Sequence, residues 1–256
     1  MKSERQAKII RELQARGIAS VADLGMSFGV TEITIRRDLE ELKQAGKIER
    51  VQGGARLIKP AFPEPPVVQR QMEQIDEKRD IARKALDFIP DGCVIALESG
   101  STTFALAEEI ANKEWSQLQV ITNNFMIQNV LSRSEHVRLI FIGGVIDNAE
   151  MCTYGDLAES SLRRLHVQKY FCGCRGIDPH FGRSNDISTG FEMGTVQALS
   201  EISDQIILLA DHTKFNHCFS VQLMPPEKID TIITSSLTPD TVLLPYEELG
   251  IKVVKA

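Results

Sequence analysis

The pattern of apolar and polar positions divides the chain in two. Over residues 3–15, Ala7, Ile10 and Leu13 recur at helical spacing, and residues 20–28 read as a second short helix with Ser20 as its N-cap. Gly29 and Val30 make a tight turn. Ile35, Leu39 and Leu42 then form the apolar stripe of a third helix, 31–45, which Thr31 starts and Gly46 closes. Lys47–Arg50 and Gln52–Arg56 read as two short strands joined by a glycine-enabled turn. Three helices followed by a hairpin predict a winged helix-turn-helix over residues 1–58.

Further along, the period changes. A helix over 75–89 precedes a series of short, nearly continuous apolar runs: CVIALES, LQVITNN, VRLIFIGG, KYFCGCRGI, QIILLAD, FSVQLM, KIDTIITS and IKVVKA. Helical patterns at 103–112, 124–133, 156–165 and 191–202 separate the earlier of them. Such runs predict an α/β domain over 75–256, Rossmann-like, with a mostly parallel sheet covered on both faces. Pro60, Pro63, Pro65 and Pro66 forbid helix between the two parts and mark residues 59–74 as a linker.

Charge sharpens this division. Residues 1–58 carry 11 Lys and Arg against 8 Asp and Glu, while the remainder carries 18 against 27, so a basic head sits on an acidic body. On the third helix Thr31, Thr34, Arg36, Arg37 and Lys43 stay off the apolar stripe. With Ser20 before the helices and Arg50, Gln52 and Arg56 on the hairpin, they form a surface suited to duplex DNA. Surface ion pairs such as Arg37–Asp38 and Lys43–Glu40 are the plainer account of the same charges.

No apolar run approaches the length of a membrane span, and no secretory signal is evident, so a cytoplasmic protein is expected. The cysteines are odd in number, five, and lie mostly in apolar runs, which suits free thiols and not a disulfide framework. Cys172 and Cys174 read as packing, and neither a metal nor a cofactor is expected.

In an open parallel sheet, ligands bind beyond the carboxyl ends of the strands. The residues expected there are Glu98, Ser99, Gly100, Ser101, Thr102 and Thr103, then Asn123, Gly143, Gly144, Arg175, Asp178 and Lys214. Ser99–Thr103 is rich in hydroxyls and opens a helix, whose free amides and dipole favour an anion such as phosphate. Lys214 supplies a point charge.

The run VADLGMSFGVTEITIRRDLEELKQAGKIERVQGGA resembles the N-terminal signature of the DeoR-type bacterial transcription regulators, with T-I-R-R-D-L intact at Thr34–Leu39. Gln52 stands where that pattern usually has histidine, and Thr31 where it has serine. The order S-G-S-T-T, T-N-N, G-G, G-I-D and D-x-x-K resembles the effector domain of the same family, itself similar to ribose-5-phosphate isomerase.

The resemblance implies double-stranded operator DNA and a phosphorylated sugar or related small molecule as partners, and a homo-dimer or homo-tetramer. It implies repression of a carbohydrate-utilisation operon. The isomerases use two loop aspartates and a glutamate base. Here Arg175 replaces the first aspartate, Val196 stands near the base position, and Glu192 lies one turn earlier. A binding protein without turnover is therefore expected. An isomerase-like enzyme with an accessory DNA-binding head is the alternative.

Overall fold

The computed structural model describes residues 5, 6, 8, 9, 12, 13, 18–44, 48–51, 53–57, 65–186 and 192–256, apart from the side chains of Gln44, Glu49, Arg50 and Leu57. The chain forms two compact units, Met1–Pro63 and Glu64–Ala256.

In the first unit, the described residues of 5–13 are helical. They are followed by β1 (Ile18–Ser20), α1 (Val21–Phe28), α2 (Glu32–Gln44), β2 (Ile48–Val51) and β3 (Gly54–Leu57). Ser20 caps α1 by accepting from the Asp23 amide at 3.0 Å, and Gly29 ends it in a left-handed conformation, φ 62°. Thr31 Oγ1 accepts from the Thr34 amide at 3.4 Å and starts α2. These caps satisfy amides that a helix end leaves without partners.

Sequence periodicity does not signal β1, which pairs antiparallel with β3 in the order β1-β3-β2. Gly54 permits that pairing, since a Cβ there would lie 2.3 Å from the Ala19 carbonyl oxygen. Ile9, Leu13, Val21, Leu24, Ile35, Leu39, Leu42 and Ile48 form the core. Ala7 and Ile10, expected in it, lie outside the described residues, as does Gly46.

The second unit opens earlier than expected. Within the stretch read as a linker, α3 (Val67–Arg70) forms a helical turn, Val67 is buried and its amide donates to the Ala149 carbonyl at 3.0 Å. Then come α4 (Ile75–Leu86), β4 (Val94–Leu97), α5 (Ser101–Ala111), β5 (Leu118–Thr122), α6 (Phe125–Leu131) and β6 (Val137–Phe141). A hairpin of β7 (Val145–Asp147) and β8 (Cys152–Tyr154) leads to α7 (Asp156–Leu162) and β9 (Val167–Cys172). The chain continues through β10 (Gly176–Asp178), β11 (Gly182–Asn185), α8 (Met193–Glu201), β12 (Ser203–Ala210) and β13 (Val221–Met224). It ends with β14 (Thr231–Thr234), α9 (Asp240–Glu248) and β15 (Lys252–Lys255).

Seven strands form one parallel sheet in the order β15-β14-β12-β9-β4-β5-β6. Alternate residues of its strands serve two cores. Tyr170, Ile206 and Leu208 pack on one face with Leu162, Leu199 and Tyr246, while Phe171, Ile207 and Leu209 pack on the other with Ile81, Leu106 and Ile127. Both faces are buried, so the strands read as unbroken apolar runs.

The run FSVQLM, expected among these strands, instead forms β13 in a separate antiparallel sheet, β10-β11-β13. Only Met224 of its four residues is buried, so it is not a strand covered on both faces.

The parallel sheet starts at β4, runs outward to β5 and β6, and returns to β9 on the other side of β4. The loops after β4 and β9 therefore diverge, and such a switch point leaves a crevice at the carboxyl ends of the two strands.

Candidate functional site

The crevice is present. A cleft of about 470 Å³, measured to its open mouth, is lined by Glu98, Ser99, Gly100, Ser101 and Thr102 after β4, and by Gly173, Cys174 and Arg175 after β9. Arg70, Glu150, Arg183, Asn185, Glu192 and Lys214 complete it. The first amides of α5 have no acceptor within the helix and mark its positive end at the cleft.

Ser99 is held in place twice: its hydroxyl donates to the Glu150 carbonyl at 2.9 Å and accepts from Asn124 Nδ2 at 3.0 Å. Asn124, fully buried, also accepts from the Met126 and Ile127 amides through Oδ1, so one side chain caps α6 and braces the loop after β4.

Each cation at the cleft is oriented. The Arg175 guanidinium stacks 4.3 Å over the Phe219 ring with Nη1 3.3 Å from Asp186 Oδ2. Lys214 lies 3.9 Å from Asp211 Oδ2, a loose pairing. Arg70 pairs with Glu150 and donates through Nε to the Pro65 carbonyl at 2.9 Å.

Arg183 is nearly fully buried. It forks onto Glu98, with Nη1 2.9 Å from Oε2 and Nη2 on Oε1, and Tyr170 donates its hydroxyl to the same carboxylate. Burial opposes charge on Arg183, yet Glu98 outweighs it and holds the guanidinium well above its ordinary value. Burial first, then the nearby Glu150 and Glu98, push Glu192 up to about 8, so its carboxyl is largely protonated at neutral pH.

Of the residues expected at this site, Glu98, Ser99, Gly100, Ser101, Thr102, Arg175, Glu192 and Lys214 line the cleft, and Asn123 lines a smaller cavity adjoining it. Four expected residues do not. Thr103 is fully buried and donates to the Gly100 carbonyl at 2.9 Å, which stiffens the turn. Asp178 accepts from the His180 and Phe181 amides and shapes the turn between β10 and β11. Gly143 is exposed, and Gly144 lets the end of β8 approach, since a Cβ there would lie 2.6 Å from the Tyr154 carbonyl oxygen.

Local pattern did not mark Arg70, Glu150, Arg183 and Asn185. Arg183 lies in a short polar strand whose four positions are all buried, which nothing in the sequence GRSN signals.

On the first unit, Ile35 and Leu39 face the core while Arg36, Arg37 and Lys43 are exposed and Thr34 is half-buried. Asp38 is buried and pairs with Arg5 of the first helix at 2.5 Å, and not with Arg37. Arg36 and Arg37 reach Glu32 and Glu41 at 3.3 and 3.8 Å, and Lys43 reaches Glu40 at 4.0 Å, one helical turn away in each case. Such exposed pairs contribute ~0.3–0.5 kcal/mol and yield readily to a phosphate.

Thr31 and Thr34 share a 3.0 Å contact between hydroxyls, and Ile33 is 80% exposed on the same helix. Ser20 is occupied with capping and also donates to Asp23 Oδ2 at 2.7 Å. Arg56 is exposed on β3. Arg50 lies on β2 with its side chain outside the description, and Gln52 lies outside the described residues. None of the five cysteines forms a disulfide, and no helix among the described residues is long and apolar enough to cross a membrane.

The sequence matches a DeoR-like helix-turn-helix domain over residues 5–61 and the DeoR C-terminal sensor domain over residues 73–236. It is 33% identical over 251 residues to the uncharacterized HTH-type transcriptional regulator YulB of Bacillus subtilis, covering 98% of this chain and 95% of that one. A putative aga operon transcriptional repressor of Escherichia coli O157:H7 is 31% identical, over 98% of this chain and 93% of its own. The glycerol-3-phosphate regulon repressor of Escherichia coli K12 is 30% identical over 94% of both chains. Among solved structures, ribose 5-phosphate isomerase A of Methanocaldococcus jannaschii aligns with a TM-score of 0.41 and 18% identity, over 56% of this chain and 55% of that one.

Proposed function

The chain belongs to the DeoR family of DNA-binding transcriptional regulators, and we propose that it represses a carbohydrate-utilisation operon until a phosphorylated sugar occupies the cleft of its second unit. The observation that carries this reading is the convergence of Arg70, Arg175 and Lys214 with the amide end of α5 on one crevice. An oriented set of cations and free amides suits a phosphomonoester. Relatives named for the aga operon and for glycerol-3-phosphate support a carbohydrate context.

In this reading residues 1–58 hold DNA, the start of the 59–74 stretch connects, and the second unit, Arg70 included, senses the effector and forms the oligomer. Helix α2 enters the major groove, where Thr31, Thr34 and Arg36 meet base edges, while Arg37, Lys43 and the hairpin residues Arg50, Gln52 and Arg56 hold phosphates. Exposed Ile33 suits contact with a thymine methyl group. Two heads at fixed spacing require at least a homo-dimer, and the ligand acts by favouring one arrangement of them. The protein works in the cytoplasm.

Turnover is not part of this proposal. Asp178 is engaged in a turn away from the cleft, Arg175 stands in place of a carboxylate, and Glu98 and Glu150 are each paired with an arginine. Among the described carboxylates lining the cleft, Glu192 alone is not paired with an arginine, and aldose–ketose isomerisation needs proton transfer at two carbons and at both of their oxygens.

A gel-shift titration on duplex DNA upstream of the protein's own gene, with and without a panel of phosphorylated sugars, tests the reading. A shift reversed by one of these ligands is expected. Indifference to that DNA at low salt, or ketose appearing from an aldose phosphate, contradicts it.

A further inference from the structure

Behind the cleft lies a second, smaller cavity. Glu98, Ser99 and Glu192 line both, so the two adjoin. The inner walls are Asn123 at the end of β5, Thr153 on β8, and Thr195 with Val196 on α8.

Three side-chain atoms there have no hydrogen-bond partner among the described residues: Asn123 Oδ1, Thr195 Oγ1 and Glu192 Oε1. Asn123 and Thr195 are more than nine-tenths buried. Their neighbours are satisfied, since Asn123 Nδ2 donates to the Thr153 carbonyl at 2.7 Å and Thr153 Oγ1 donates to the Ile142 carbonyl at 2.5 Å. Buried polar atoms are ordinarily paired, so three orphans lining one small cavity point to an absent partner.

The chemistry of the three atoms narrows that partner. An amide oxygen accepts, a threonine hydroxyl both donates and accepts, and a protonated carboxyl donates one proton. An alcohol answers all three. A carboxylate fits less well: Glu98, Glu150 and Asp147 all repel charge at Glu192, and the guanidinium forks beside them are already engaged, Arg183 with Glu98 and Arg70 with Glu150, which leaves only Arg183 Nε without a partner among the described residues.

We propose that the inner cavity is the subsite for an uncharged, hydroxyl-bearing end of the effector, held by Asn123, Thr195 and Glu192, and that it rejects a carboxylate at that end. The proposal rests on the phosphomonoester reading of the outer cleft and narrows its ligand to polyol or neutral sugar phosphates. Thr195, absent from any sequence motif, becomes a specificity residue. Because Glu192 titrates near 8, raising the pH through that value removes a donor and adds a negative charge at the subsite.

Calorimetric titration of the full-length protein with inorganic phosphate, hexyl phosphate, sorbitol 6-phosphate and 6-phosphogluconate, and with propyl phosphate against glycerol 3-phosphate for a shorter chain, tests this. At one length or the other, the hydroxylated ligand is expected to bind at least tenfold tighter than its alkyl partner, and sorbitol 6-phosphate tighter than 6-phosphogluconate. In Thr195→Val the ratio of hydroxylated to alkyl affinity falls toward one. Between pH 6 and 9 that ratio falls in the natural protein and stays flat in Glu192→Gln, and taking the ratio cancels the phosphate's own titration.

Equal binding of hydroxylated and alkyl phosphates at both lengths, or a ratio indifferent to Thr195→Val, overturns the inner subsite and leaves the outer cleft standing. Tighter binding of 6-phosphogluconate overturns the exclusion of carboxylates. If neither inorganic phosphate nor any phosphomonoester binds, the reading of the cleft falls and the inference falls with it.

Discussion

Arg36 on α2 and Arg183 on β11 are the same residue in opposite surroundings. The side chain of Arg36 is 57% exposed and lies 3.3 Å from a carboxylate that is itself 54% exposed; that of Arg183 is 5% exposed and forks onto Glu98, 7% exposed. Water screens the first and is excluded from the second, so the first is free to exchange partners and the second fixes the floor of a cavity. The two units place cations differently: one on an open helix surface, the other along the walls of a cleft.

The largest effect that sharpens this contrast is expected from Arg183→Met. It leaves Glu98 buried without its partner, and the unfolding transition of the second unit, followed in urea, should lose ~3–5 kcal/mol. Arg37→Ala on the surface should change stability by no more than ~0.5 kcal/mol. Equal losses would mean that the two environments do not differ as described.

A pH effect comes next. Burial raises the folded pKa of Glu192 from its ordinary value of 4.5 to about 8. The folded state therefore holds a proton that the unfolded chain releases, and stability present in full below 4.5 is lost progressively as pH rises to about 8. Glu192→Gln should flatten that decline. An unchanged profile would place the carboxyl in water.

On the DNA side, Arg36→Ala is expected to lose ~1–3 kcal/mol of specific affinity, and Arg37→Ala to reduce the salt dependence of binding by about one phosphate contact, both read from binding isotherms at several salt concentrations. The smallest effect is local. Ser20→Ala removes the cap of α1 and should lower the stability of the first unit by ~1 kcal/mol, measured by thermal unfolding.

The exposed side of this comparison was the legible one. Helix caps, the apolar stripe Ile35-Leu39-Leu42 and the glycine turn are written within a few residues of one another, and α1, α2 and the hairpin follow them. The parallel strands were legible for a similar reason, since two buried faces demand unbroken apolar runs. In the cleft, the segment Ser99–Thr102, Arg175 and Lys214 could be read because strand ends can be counted.

What escaped was polar and buried. Arg183 finds Glu98 across 85 positions and Arg70 finds Glu150 across 80. Neither pairing leaves a periodic trace, and Arg70 sat in a stretch whose prolines suggested an extended linker. Asp178 erred the other way, because a carboxylate after a strand looks like a ligand whether it faces the cleft or caps a turn. Within T-I-R-R-D-L, Asp38, which the plainer account of the charges pairs with Arg37 at the surface, is a buried clamp on Arg5.

The most direct test of the two uses of charge is fluorescence anisotropy of a labelled upstream duplex with the full-length protein, across a salt series, with and without a saturating phosphorylated sugar that calorimetry shows to bind. The account predicts affinity that falls steeply and linearly with the logarithm of salt, and a ligand that weakens binding at every salt while Arg183→Met abolishes its effect. Affinity that ignores salt, or a bound ligand that leaves the isotherms unmoved, would contradict it.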